Sequence, residues 1–366
     1  MRNDVINAAE MRAATLKQIP EGWDEMVGDC DWGTFYHSSL NLKLLGDVSP
    51  SMINFITYHE KNLLAGGIAY GVQDGPLGAV VNCLPYFGSY GDAIISPLAE
   101  EVAEENVYQT LIERSKEIDA LCLTVITSPF ASQDHHRKVK DILKPVFAEK
   151  RCCQIAYLPE CKKEGRSYYA EKILKMLEGR ARTLYRKSLK SDLLVRPAQN
   201  EAEIAQFFRI HKANIESKQG VFKSERFFKK VFALSKSDPE KTAVIIALDN
   251  DKVAGGVVLF YSNRTIEYHT TCLLDKYRPM GVLNRIIIDK MIDGGMRGYR
   301  YWNFGGTWKS QENLYRFKES LGALSRDYFY YIVYFRDLNR IKSFSARAIA
   351  DMYPLCYVIP FSEAAS

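Results

Sequence analysis

Nowhere in the 366 residues is there an uninterrupted apolar run of the ~18 residues that mark a membrane-crossing helix. The opening stretch MRNDVINAAEMRAATLKQIPEGW has no apolar centre of the signal-peptide kind. The expectation is a cytoplasmic protein with no transmembrane segment. The eight cysteines never form a C-x-x-C pair. Apart from adjacent Cys152 and Cys153 they are scattered singly, so reduced, mostly buried thiols are expected and no metal site. His135 and His136 are neighbours, about 100° apart on a helix, and read as surface residues. Catalytic signatures are missing as well: there is no G-x-S-x-G elbow, no G-x-x-x-x-G-K-[ST] loop and no strand-bound G-x-G-x-x-G. With 47% hydrophobic and 25% charged residues, disordered and fibrous classes are excluded. The length suggests two domains.

Charge is unevenly placed. The net charge of +5 conceals 15 Lys and Arg against 23 Asp and Glu up to Gly165, and 34 against 21 from Arg166 onward. Such asymmetry suggests that the second half meets an anionic partner: nucleic acid, nucleotide phosphates or an anionic lipid surface. A basic bridge with no acid, Gly179 to Lys190, carries five of those cations, Arg182 and Arg186 among them. It reads equally as a phosphate-tracking helix or as a solvated linker helix.

The order of elements repeats. Strands are expected at 52–58 and 63–72 around a turn at Glu60-Lys61-Asn62, then a helix at 100–119 and a buried strand at 120–127. In the second half, helices at 201–218 and 224–234 precede strands at 242–248, 253–261 and 264–271. A helix at 282–296, a strand at 299–304, a Gly-Gly loop and a helix at 312–321 follow. Asn62-Leu63-Leu64-Ala65-Gly66-Gly67-Ile68 matches Asp251-Lys252-Val253-Ala254-Gly255-Gly256-Val257, each at a hairpin entering a strand. This suggests duplication of a whole domain, with the division expected at 1–165 and 166–366. Paired glycines inside a strand also point to a bulge or a close backbone approach.

The remaining chemistry lies in Tyr299-Arg300-Tyr301-Trp302-Asn303-Phe304-Gly305-Gly306 and in Asn313-Leu314-Tyr315-Arg316-Phe317-Lys318-Glu319-Ser320-Leu321-Gly322. These segments resemble the C-terminal motif of the FemAB/FemX family, peptidyltransferases that extend peptidoglycan bridges. That motif is a strand ending D-F-x-G, a loop, and a helix reading G-L-x-x-F-K-x-x-F-G. Asn303 stands for the usual Asp, Asn313 for Gly and Leu321 for Phe. The coiled-coil arm of some members has no counterpart. Phe35-Tyr36-His37-Ser38 resembles the entry segment of the family's first domain.

The resemblance covers most of the chain. It implies an α/β (α+β) fold of two tandem GNAT-like acyltransferase domains, each a mixed twisted sheet flanked by helices. It implies that Lys318 stabilises the oxyanion of acyl transfer, an effect on the order of 3 kcal/mol for a well-placed donor. Phe317 would shape the acyl channel, and Asn303, Gly305, Gly306 and Tyr315 would contact the substrate. Basic residues that hold the acceptor's phosphates have their nearest counterparts in Lys43 and Lys223 or Arg226. His269 is a possible general base, or an ordinary strand histidine. The loop Arg278-Pro279-Met280-Gly281-Val282-Leu283 half-matches the coenzyme A loop of GNAT enzymes. It keeps Arg278 and Gly281, whereas Pro279 lacks an N–H.

The leading expectation is aminoacyl transfer from aminoacyl-tRNA, bound partly through Arg182 and Arg186. The acceptor would be an amine of a nucleotide- or lipid-linked cell-envelope precursor, with peripheral membrane contact and no resident cofactor. The first alternative is an acyl-coenzyme A dependent N-acyltransferase of surface-polysaccharide biosynthesis. The second is a non-catalytic scaffold that binds nucleic acid or an anionic membrane.

Overall fold

A computed structural model describes residues 11–85, 90–162, 165–218, 220–308 and 310–365. The chain divides into two compact units, Met1–Arg151 with Asp327–Ser366, and Cys152–Arg326. The first unit opens with β1 (Met11–Leu16), α1 (Trp23–Asp29), α2 (Ser39–Val48), β2 (Met52–Glu60) and β3 (Leu63–Gln73). Next come β4 (Val80–Cys83), β5 (Ile94–Ile95), α3 (Ala103–Glu117), β6 (Cys122–Ile126), α4 (Gln133–Leu143) and β7 (Phe147–Tyr157).

The second unit continues through α5 (Arg166–Met176), α6 (Gly179–Leu189), β8 (Leu194–Pro197), α7 (Glu201–Glu216) and α8 (Glu225–Ser237). Then follow β9 (Thr242–Asp249), β10 (Lys252–Ser262), β11 (Thr265–Leu273), α9 (Val282–Met296), β12 (Tyr301–Thr307), α10 (Glu312–Ser320) and β13 (Ala323–Tyr334). Two short helices, α11 (Asn339–Lys342) and α12 (Ala346–Met352), return to the first unit.

In the first unit the strands run β1-β2-β3-β4-β6-β13, with β5 also on β3. In the second the order is β8-β9-β10-β11-β12-β7. Each sheet holds one parallel pair, β4 with β6 and β11 with β12. The strand that closes each sheet is the surprise. β7 follows α4 of the first unit but lends residues 152–157 to β12, while β13 follows α10 and lends residues 330–334 to β6. The units therefore do not divide at the 165/166 boundary expected from the sequence. The physical reason is burial: Ile332, Ile341, Ile349, Tyr353 and Ile359 form one cluster with Val80, Leu121 and Cys122 of the first unit. Removing that apolar area from water stabilises the tail there, at roughly 25 cal/mol per Å².

The repeat expected from the paired glycines is built into both sheets. In the β2–β3 hairpin Gly66 faces Tyr58 and Leu64 faces His59, so Ala65 is an extra residue. In the β9–β10 hairpin Gly255 faces Ala247 and Val253 faces Leu248, so Ala254 is the extra residue. A bulge thus sits at the same place in both. The second glycine of each pair has the same neighbours. A Cβ on Gly67 would lie 2.8 Å from the Ile56 carbonyl and from the Trp23 ring of α1. One on Gly256 would lie 2.6 Å from the Ile245 carbonyl and 2.9 Å from the Phe207 ring of α7. Close approach of a neighbouring-strand carbonyl and of a helix aromatic is why both copies need glycine there.

Candidate active site

The second unit is distinguished by where its parallel pair ends. β11 and β12 are paired only from Thr265–Glu267 to Tyr301–Asn303. Beyond that rung β12 turns to β7, with Gly306 opposite Cys153, and bulges over Phe304 and Gly305 against the single residue Gln154. Gly305 takes φ 71°, which its lack of a Cβ permits. The expected Gly-Gly loop is therefore the bulged end of β12 itself, because β7 continues to pair with Gly306 and Thr307. β11 has its own irregularity: Val258 faces Thr270 and Leu259 faces Tyr268, which leaves His269 as the extra residue.

Glu267 and Asn303 form that last rung, 1% and 0% exposed. Asn303 Nδ2 donates to Glu267 Oε2 at 2.7 Å, while Glu267 Oε1 has no hydrogen-bond partner among the described residues. Burial pushes the Glu267 carboxyl up to about 8, and the Asn303 hydrogen bond restrains the rise. The Asn303 amide is oriented from its other end, where Oδ1 accepts from Gly305 N at 2.8 Å and from the Cys153 thiol at 3.1 Å. Two donors on one atom identify it as the oxygen, so the nitrogen faces Glu267.

Lys318 approaches the same bulge from α10. Its buried ammonium donates to Gly305 O at 3.1 Å, Gly306 O at 3.0 Å and Thr307 Oγ1 at 2.8 Å. Thr307 Oγ1 donates onward to Gln154 Oε1 at 2.8 Å, and Gln154 Nε2 donates to Tyr315 O at 3.0 Å. All three Lys318 protons have acceptors, and burial lowers its pKa to about 8. Beside it, Phe317 packs partly buried against the unit's apolar core, and Tyr315 pairs its hydroxyl with Ser325 Oγ at 2.8 Å. The structure thus joins Lys318, Asn303, Gly305 and Gly306 in one hydrogen-bonded group, and adds Glu267, Cys153, Gln154 and Thr307.

A second group gathers on α7, α8 and β11. His211 is buried and donates from Nδ1 to Thr271 O at 3.1 Å, while Nε2 has no partner among the described residues. Asn214 Oδ1 accepts from Leu273 N at 2.9 Å. Side chains of α7 therefore hold the edge of β11 beyond Glu267. His269 stacks on Phe227 with centroids 5.4 Å apart. Burial lowers Lys223 to about 8 and His269 well below the ordinary imidazole value; the Lys223 charge and His211 add to the effect on His269. Arg226 lies exposed on the first turn of α8, just after the Ser224 cap.

Other sequence-selected residues lie apart from both groups. Lys43 is exposed on α2 of the first unit. Arg182 donates to Leu177 O at 2.6 Å and Leu174 O at 3.4 Å, closing the end of α5, whereas Arg186 is exposed. Arg278 is exposed and ion-paired with Asp275 at 2.8 Å. Gly281 caps α9 at φ 71°, and a Cβ there would lie 2.5 Å from Leu184 O.

His135 and His136 are not surface residues. Both are buried on α4, His135 against Trp32 and Glu104 of α3 and His136 against Phe329 of β13, so two different neighbours cover the adjacent positions. His135 Nε2 lies 2.9 Å from Asp92 Oδ2, and Nδ1 lies 3.0 Å from Glu104 Oε1. Burial disfavours its charge, but the two carboxylates overcome this and hold the imidazole protonated through neutral pH. Among the described residues no cluster of three or more His, Cys, Asp or Glu is arranged to hold a metal ion, and no helix is long and apolar enough to cross a membrane.

Glu267 is the residue that sequence reading passed over. Its signal was present: the one acid in a strand of otherwise uncharged and aromatic residues, one parallel strand away from Asn303. Its partner could not be read without the register.

No protein-family model matches the sequence, and no curated protein matches it. Solved structures do match in fold. The crystal structure of FemX superposes with a TM-score of 0.66 at 11% identity, covering 87% of this chain and 97% of that one. A tandem GNAT protein from the clavulanic acid biosynthesis pathway gives 0.55 at 8% identity, covering 89% and 98%. The C-terminal domain of a putative lysylphosphatidylglycerol synthetase from Agrobacterium fabrum gives 0.51 at 11%, covering 81% and 88%. With the duplicated hairpin bulges and one parallel pair in each sheet, these likenesses establish the fold: the chain has the tandem GNAT-like α/β architecture shared with FemX.

Proposed function

We propose that this chain transfers an acyl group from an activated ester or thioester to an amine, with Glu267 as the general base. The observation that carries the reading is the Glu267–Asn303 rung: a buried carboxyl with one committed oxygen and one free, at the point where two parallel strands part. The amine nitrogen attacks the acyl carbonyl carbon and forms the C–N bond. Glu267 Oε1 takes the proton that the nitrogen sheds. Collapse of the tetrahedral intermediate breaks the C–O or C–S bond, and the leaving oxygen or sulfur takes the proton back from Glu267. A base with pKa near 8 is matched to this task at neutral pH, where general-base catalysis contributes on the order of 10²–10⁴-fold.

The finer assignment is aminoacyl transfer from aminoacyl-tRNA to an amine of a cell-envelope precursor. Its support is the likeness to FemX and the positive balance of the second half, whose exposed cations include Arg186. A second reading, with an acyl-coenzyme A donor, is favoured by one observation. α9 opens on Gly281 with no side-chain cap and no acid in its first turn, which leaves backbone N–H groups for a diphosphate. The test is mass spectrometry of amino-sugar and muropeptide acceptors after incubation with charged tRNA or with acyl-coenzyme A, each with wild type and Glu267→Gln. Product from charged tRNA that ribonuclease abolishes supports the first reading, and product from acyl-coenzyme A the second. Full turnover by Glu267→Gln overturns the base assignment.

A further inference from the structure

The geometry points to Lys318 as a positioning residue: its ammonium clamps the β12 bulge so that Asn303 holds the Glu267 carboxyl in place. The inference rests on the reading of Glu267 as base, and concerns how that base is held. An ammonium has three protons and no acceptor capacity. Here each proton is committed, two to the carbonyls of Gly305 and Gly306 and one to Thr307 Oγ1. An oxyanion donor would have to give up one of these bonds during the reaction. The hydrogen bonds Lys318 does make all go to the bulge and the two residues that follow it on β12.

The bulge is what orients Asn303. Gly305 presents its carbonyl to Lys318 and its N–H to Asn303 Oδ1, so one residue is gripped from both sides. Gly305 sits at φ 71° with no atom within 4 Å of where a Cβ would be, so no side-chain contact on that face fixes it. The restraint comes from hydrogen bonds instead. Thr307 extends the grip to β7 by donating to Gln154, whose amide in turn ties back to α10 at Tyr315 O. The result is a closed circuit from α10 through the bulge to β7 and back. Asn303, held through Gly305 N, links this circuit to Glu267.

Loosening the clamp has a defined consequence at Glu267. Burial raises its carboxyl, and the Asn303 hydrogen bond is the influence that lowers it. Losing that bond should move the carboxyl further up.

The test's two primary readouts need no substrate. In protein with ¹³C-labelled Glu side chains, the Glu267 carboxyl is titrated by NMR or infrared, assigned by its loss in Glu267→Gln. Amide hydrogen exchange is followed at Gly305. Lys318→Met, which keeps the stem and removes the donors, should raise the Glu267 midpoint by about half a unit or more. It should also speed exchange at Gly305 about tenfold or more. If Lys318→Met does not fold, Thr307→Val removes one acceptor and should move both readouts in the same direction by less. Both readouts unchanged in a folded variant overturn the inference, and activity lost with both unchanged assigns Lys318 to the oxyanion instead. Should Glu267→Gln keep full acyl transfer while both readouts respond to Lys318→Met, the clamp stands and the base assignment alone falls.

Discussion

Glu267 and Asn303 face each other across the last rung of a parallel strand pair, the carboxyl oxygen 2.7 Å from the amide nitrogen. The FemAB/FemX motif usually carries Asp where this chain has Asn303. An Asp there would set two carboxyl groups against each other in a dry site, and one would have to stay protonated. The amide supplies a donor instead. Asn303 is thus a departure from the motif that makes chemical sense beside Glu267.

The raised Glu267 pKa has a direct consequence for stability. Between the ordinary carboxyl value of 4.5 and about 8 the folded protein binds a proton that the unfolded chain has released. Stability should therefore fall as pH rises through that window, and level off above it. Glu267→Gln keeps the shape and can still accept from Asn303, but cannot ionise. The variant should match wild type below pH 4.5 and be the more stable of the two above pH 8. Urea unfolding at pH 4, 6 and 9 checks this, and equal pH slopes for the two proteins would place the titration elsewhere.

The first unit should depend on His135. Asp92 is buried, and besides the imidazole it is held by the Tyr108 hydroxyl and Ser128 N. Removing the cation leaves a buried carboxylate uncompensated, so His135→Ala should cost about 3–5 kcal/mol at pH 7. Because the folded pKa of His135 is raised above 6.5 to about 10, its contribution is complete below the ordinary imidazole range and lost as pH rises through about 10. The gap between wild type and variant should shrink by pH 10.5, as read from chemical denaturation midpoints.

Helix α6 allows a clean test of tRNA binding, provided the right arginine is chosen. Arg182 closes the end of α5, so reversing its charge would disturb the fold. Arg186 is exposed, and its reversal leaves those hydrogen bonds intact. If α6 meets a phosphate backbone, Arg186→Glu should weaken tRNA binding. It should also reduce the slope of log affinity against log salt by about 0.7–0.9 for each phosphate that is no longer neutralised. An unchanged slope from 50 to 300 mM salt would remove this helix from the tRNA surface.

What the sequence determined by itself was local and periodic. Alternation and turn residues defined the β2–β3 and β9–β10 hairpins, and the Ala-Gly-Gly repeat marked a duplication that reappears as two matching bulges. Helical spacing defined α3, α7, α8, α9 and α10 to within a few residues. The order of residues around Phe317-Lys318 carried the resemblance that anticipated the tandem architecture. Tertiary structure decided whatever depends on two segments meeting. The exchange of β7 and β13 between sheets rests on long-range pairing and on burial of the C-terminal tail, and neither leaves a mark in local composition. His135 looked like a surface residue because its partners are 43 and 31 positions away in the chain, and charge pairing inside a core has no sequence period. Glu267 became a candidate base only through register. Its pKa is raised by the dielectric that the packed sheet creates, and the amide that restrains it arrives from a strand 36 residues later.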